Sequence, residues 1–176
     1  MKTLWWLCCF LLMGCAHAPR ERATAALSLP DDDPVQVRWH DPAGFTEYRR
    51  SAFAAQEPAH WVTELANEAR RIAQPRLAAG ERLQITFIDI DRAGEHEPWR
   101  GLEYQHTRIV RDLYPPRIRL HFTVTGADGA IKREGERALT DAAFLQRASV
   151  SSSDPLRYEK LLLRDWIRRE FPEQAR

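Results

Sequence analysis

Beyond Cys15 the chain has no cysteine, because all three (Cys8, Cys9 and Cys15) sit at the N-terminus. The remaining body therefore has no structural disulfide, no cysteine nucleophile and no thiolate metal site. Lysine is nearly as scarce: after Lys2 only Lys132 and Lys160 occur. Glycine contributes 8 of 176 residues, and none of the glycines forms a phosphate loop or a dinucleotide fingerprint. No Gly-x-Ser-x-Gly elbow is present either, which removes the commonest serine-hydrolase signature. No cofactor is expected.

Charge of one sign is also missing. The 26 basic and 25 acidic residues fall to 25 of each once Lys2 is set aside with the segment before Cys15. A nucleic-acid partner is not expected, since neutralising phosphates needs a basic excess. Nearly every cation is arginine. That reflects either arginine-rich codon usage or forked recognition of carboxylates and phosphates, which arginine performs better than lysine.

The longest apolar run is short. Leu4 to Met13 (LWWLCCFLLM) follows the positive Met1-Lys2, and a membrane-spanning helix needs about 20 such residues. The run suits the apolar region of a signal peptide. Leu12-Met13-Gly14-Cys15 resembles the bacterial lipobox, so residues 1–14 are read as the signal peptide and Cys15 as the lipidated residue. The competing small-x-small site, Ala16-His17-Ala18, would place Pro19 after the cut, where proline generally blocks that peptidase. Ala16 after the cysteine points to a periplasm-facing anchor in the outer membrane, with a soluble periplasmic protein as the alternative. Residues 15–34 lack periodicity and end in an Asp run and Pro34, which reads as a tether. A coil of that length spans roughly 25 Å.

Residues 35–176 have the size of one domain. Val35–Trp39 alternates as a half-buried strand does. A helix is expected near 59–77, with Trp61, Leu65, Ala69 and Ile72 on one stripe; Pro58 stands near its start and Pro75 kinks or ends it. Leu83–Ile90 reads as a central strand and Thr107–Leu113 as a short one. Arg117–Thr125 and Ala130–Leu139 flank Asp128-Gly129, a hairpin signal. Asp154-Pro155 opens a last helix running to Phe171, and its breadth of apolar positions, Trp166 among them, implies burial. The expected class is α+β, an antiparallel sheet of four to five strands with two helices on one face.

Three groups of residues carry candidate chemistry. Asp89, Asp91, Glu95, His96 and Glu97 are oxygen-rich and suit Ca²⁺, Mg²⁺ or Mn²⁺, but match no calcium loop or zinc-protease helix; a solvated strand end with carboxylates paired to Arg92 or Arg100 is the other reading, and no metal is assigned. Ser149, Ser151, Ser152 and Ser153 precede a helix, where hydroxyls serve as caps. The third group is Glu97-Pro98-Trp99-Arg100 with Tyr114-Pro115-Pro116-Arg117. Trp, Tyr and Arg are the residues enriched at binding hot spots, which makes Trp99, Arg100, Tyr114 and Arg117 candidate partner-binding residues. Alternatively Trp99 and Tyr114 plug the end of the core.

From Val35 onward the chain resembles the bacterial family of unknown function numbered 3016. The resemblance rests on Ile85–Asp91, Glu97-Pro98-Trp99-Arg100, Arg108–Ile118 and Ser153–Lys160 with the helix that follows. It implies a small exported proteobacterial protein and names no substrate, cofactor or catalytic residue. The sequence thus suggests a non-enzymatic accessory lipoprotein that binds an envelope protein or polymer. The alternative is a periplasmic hydrolase or metal-dependent enzyme using the Asp89 to Glu97 region.

Overall fold

The computed structural model describes residues 27–30, 33–51, 54–56, 59–147 and 152–173. Cys15, the signal segment, Pro58, Ser149 and Ser151 lie outside the described residues. The first strand, β1 (Leu27–Ser28), falls within the segment read as a tether. It pairs antiparallel with β2 (Val35–Trp39) and delivers Leu29 into the core. Three residues of alternation are too few to register as a period, which is why this edge was invisible in the sequence.

Between β2 and the next strand the chain makes a short helix, α1 (Thr46–Arg50), and then α2 (His60–Ala73). Trp61, Val62, Leu65, Ala66, Ala69, Ile72 and Ala73 form the buried face of α2, the stripe that the spacing predicts. Pro75 ends the α-helical geometry, and residues Gln74–Arg76 continue as a 3₁₀ turn. Strand β3 (Arg82–Asp91) follows. It pairs parallel with β2, Val35 beside Leu83 and Trp39 beside Phe87.

The sheet is therefore mixed and not antiparallel throughout, although the α+β class holds. The physical reason is α2 itself: a helical crossover returns the chain to the same end of the sheet, as parallel neighbours require. Beyond β3 lie two-residue strands β4 (Glu95–His96) and β5 (Arg108–Ile109), which pair only with each other. Strands β6 (Arg117–Thr125) and β7 (Ile131–Thr140) then complete the main sheet in the order β1-β2-β3-β6-β7. The β6–β7 hairpin turns at Asp128-Gly129, where Gly129 adopts φ +78°, a region that glycine enters without the usual Cβ clash.

After β7, α3 (Phe144–Arg147) leads to the last helix, α4 (Arg157–Glu170). The helix begins later than Asp154-Pro155 suggests: Leu156 is its N-cap and has no side-chain cap, and Asp154 instead accepts from the Leu156 amide at 2.8 Å in the turn that leads into it. Helices α2 and α4 pack side by side and share one core with Val37, Ile85, Phe87, Leu120 and Phe122 of the sheet. Trp166 lies edge-on to Phe122 and Phe171, with centroids 5.9 and 6.0 Å away. Gln36, Gln84, Thr86, His121 and Thr123 alternate with these core residues along their strands and line the opposite, polar face.

Candidate functional site

Strand β3 carries a bulge. Its register against β6 shifts between Phe87 and Asp89, so Ile88 interrupts the alternation that keeps carboxylates off the core face. Beyond the bulge four acidic side chains, Asp91, Glu47, Glu97 and Glu159, are all at least 94% buried. A buried carboxylate needs cations or donors, and arginines drawn from distant segments supply most of them.

Glu47 of α1 accepts from the Arg92 amide at 2.9 Å and from its guanidinium at 3.0 Å, and Arg108 of β5 closes on the same carboxylate. Asp91 accepts from Arg50 at 2.8 Å and Arg117 at 3.1 Å. Burial pushes the Asp91 carboxyl up, and the two arginines only partly oppose it. Glu159 reaches from α4 to the Ala93 amide at 2.6 Å, but its Oε2 is buried without a hydrogen bond. Desolvation raises this carboxyl too.

Glu97 behaves in the opposite way. It accepts from the Tyr114 hydroxyl at 2.8 Å, from Arg111 at 3.2 Å and from the Nε of Arg100. Desolvation would raise its carboxyl, but the Tyr114, Arg100 and Arg111 donors outweigh that and hold it below the usual range. These three residues lie 3, 14 and 17 positions along the chain, so one carboxylate gathers the whole 97–114 loop. Gly94 helps: at φ +86° its amide donates to the Tyr114 carbonyl at 3.0 Å, and a Cβ there would meet the Ile109 carbonyl at 2.9 Å.

What the loop presents outward is apolar. Trp99 is 71% exposed, Leu102 82% and Leu113 64%, with Tyr104 at 41%. Trp99 is therefore no plug for the core. Beside it lies a cavity of 430 Å³ whose wall includes Arg50, Ser51, His96 and Tyr114. Ser51 Oγ is 3.1 Å from His96 Nδ1, and both residues are more than 90% buried.

The sequence candidates are thus divided by the fold. Trp99 and Tyr114 share the cavity, Arg100 joins them through Glu97, and Arg117 belongs to Asp91 on the neighbouring strand. Asp89, Asp91 and His96 do not share one centre. Asp89 accepts from the Thr46 amide and hydroxyl at 2.6 and 2.7 Å, Asp91 binds arginines, and His96 meets Ser51. Among the described residues no three His, Cys, Asp or Glu side chains converge as metal ligands. Arg50, Ser51, Glu47, Arg108, Arg111 and Glu159 escaped sequence reasoning. Their partners are 14 to 66 residues away, and no local spacing signals such pairs.

Fold and site together define an α+β fold with an aromatic loop surface beside a buried carboxylate–arginine network. The chain belongs to the family described as "Protein of unknown function (DUF3016)", whose model matches residues 33–169. No curated protein and no solved structure matches it. Among the described residues no helix is long and apolar enough to cross a membrane.

Proposed function

We propose that this chain is a lipid-anchored cell-envelope protein that acts as a non-enzymatic binding module, taking a protein partner on the Trp99 loop. The observation that carries the reading is the contrast within the 97–114 segment. Glu97 is fully buried and fastened by three donors, while Trp99, Leu102 and Leu113 stand in solvent. Large apolar side chains held out by a rigid frame mark interaction surfaces, and a preorganised loop loses little entropy on binding. Aliphatic Leu102 and Leu113, exposed on the same segment as the aromatic, favour a protein over a polysaccharide. Anchoring through Cys15 would keep the module at the membrane, with residues 16–26 as part of the spacer.

Capture from envelope extracts tests this. Trp99→Ala and Leu102→Ala are expected to abolish capture while leaving unfolding midpoints within about 0.5 kcal/mol of the parent, as exposed substitutions do. Equal capture by parent and Trp99→Ala protein overturns the proposal. Capture that survives protease treatment of the extract points to a polymer instead.

One contact favours a second reading, a hydrolase. Ser51 Oγ and His96 Nδ1 lie 3.1 Å apart at the wall of the cavity beside Trp99, which is nucleophile–base distance. Ser51 Oγ also accepts from the Ala54 amide at 3.2 Å, as a local cap does. A fluorophosphonate probe distinguishes the two roles: labelling at Ser51 that is lost in His96→Gln supports catalysis, and an unlabelled Ser51 leaves it a cap.

A further inference from the structure

The arginine-for-lysine bias has a second consequence, at the far ends of the two long helices. Lys160 meets Glu64 at 3.7 Å, and four residues on in each helix Arg164 meets Glu68 at 3.3 Å. Contacts that advance together mean that α2 and α4 run in the same direction. Their carboxyl ends therefore open at one end of the helix layer. A cavity of 710 Å³ lies there, lined by Arg71, Arg76, Arg164 and Arg168 together with Ile72 and Leu77.

These guanidinium groups are not equally committed. Arg76 is spent on structure, donating to the Phe171 carbonyl at 2.9 Å and to Glu173 at 3.0 Å. Glu68 is shared by Arg71, at 2.7 and 2.9 Å, and Arg164. Arg168 is exposed and has no hydrogen bond or ion pair among the described residues. Four cations thus face two carboxylates, and two positive charges remain. The partial negative charge at a helix carboxyl end takes up about half a unit per helix. Arg169 already serves α4 in that way, donating to the Asp165 carbonyl at 3.2 Å. The cavity stays cationic, with an apolar side at Ile72 and Leu77.

We propose that this cavity is an anion site for a phosphate monoester carried on an organic body. Arg164 and Arg168 meet the phosphate oxygens through their forked donors, Arg71 adds charge from the opposite helix, and the organic part lies against Leu77. A phosphate monoester carries about −1.5 to −2 charges at neutral pH and so complements a cationic cavity, and planar guanidinium groups bind its oxygens in pairs. The proposal is independent of the Trp99 surface: it concerns the helix ends, whereas Trp99 sits on the loop between β4 and β5.

Calorimetric titration of the full chain with phenyl phosphate tests it, with inorganic phosphate as the comparison. Phenyl phosphate is expected to bind saturably and more tightly than inorganic phosphate. Arg168→Glu and Arg164→Glu should each weaken it by about tenfold or more. Arg119→Glu, on the polar face of the sheet, should leave it unchanged. Because the Arg168 side chain makes no hydrogen bond or ion pair among the described residues, the neutral variant Arg168→Gln should unfold close to the parent's urea midpoint and still bind more weakly, so a loss of binding is a loss of the site. Vesicles of phosphatidic acid in phosphatidylcholine separate the sources: displacement of phenyl phosphate shows a lipid-borne ligand, and its absence a soluble one. Three results overturn the proposal: no saturable binding up to on the order of 10 mM, parent-like binding by Arg168→Glu, or equal weakening by Arg119→Glu, which would mean diffuse charge attraction.

Discussion

The hydroxyl of Tyr114 donates to the carboxylate of Glu97 at 2.8 Å, closing a loop of which the tip, Trp99 to Tyr104, is largely exposed. The bond makes the loop a frame instead of a coil. Tyr114→Phe removes one of three donors to a buried carboxylate and leaves the ring in place. Amides between residues 97 and 114 should then exchange with solvent faster, while those of α2 and α4 stay as protected as in the parent. Hydrogen-exchange mass spectrometry reads this directly. Unchanged exchange in the loop would mean that Arg100 and Arg111 hold it without Tyr114.

The core is fastened differently, through aromatic packing. Trp166 is buried between Phe122 and Phe171, both edge-on to it. Trp166→Ala should cost about 3–5 kcal/mol, as truncations of core tryptophans do, a large share of a typical domain's stability. Urea unfolding measures it. A loss under about 1 kcal/mol would require the helix layer to collapse onto the space left behind.

Much of this core was legible in the sequence, because periodicity reports which face of an element is buried. The stripe Trp61, Leu65, Ala69, Ile72 and the alternation Ile118, Leu120, Phe122, Val124 both meet the core as their spacing predicts. Strand direction was not legible, since alternation is the same in parallel and antiparallel pairs; the parallel β2–β3 pairing follows from the α2 crossover. The Trp99 motif could be found because Trp-Arg and Tyr-Pro-Pro-Arg stand out locally. Whether Trp99 points in or out could not, because that depends on Glu97 drawing in Arg100, Arg111 and Tyr114. Helix α1 is five residues long, too short to show a period, and so Glu47, Arg50 and Ser51 went unnoticed.

Anchoring is testable apart from the fold. Cys15→Ser should abolish palmitate labelling and shift the protein from the membrane fraction to the soluble one, with the unfolding midpoint unchanged. Labelling that persists in Cys15→Ser protein would move the lipid elsewhere or refute it.

Two carboxylates near the start of α4 are set to respond oppositely to pH, and Glu159 is the clearer case. Burial raises its carboxyl above the ordinary glutamate range, with the Ala93 amide, Arg92 and Arg108 as lesser opposing influences. A group that holds its proton more tightly when folded adds no penalty below its unfolded pKa, near pH 4.3. As pH rises from there toward the folded value, the penalty grows, and it is present at neutral pH. Glu159→Gln removes the ionisation while keeping an oxygen for the Ala93 amide, so the variant should melt above the parent at pH 7. The difference should shrink to nothing as pH falls toward 4. Asp154→Asn should show the reverse trend. Burial raises the Asp154 carboxyl, but Lys160 and the Leu156 amide prevail and lower it overall, so its stabilisation is present at neutral pH and lost as pH falls. Melting curves of both variants against the parent between about pH 2 and 8 give the two slopes, that of Asp154 lying below its unfolded pKa of about 3.9. A Glu159→Gln variant less stable than the parent at pH 7 would show that the carboxylate is ionised there and held by Arg92 and Arg108 more strongly than burial opposes it.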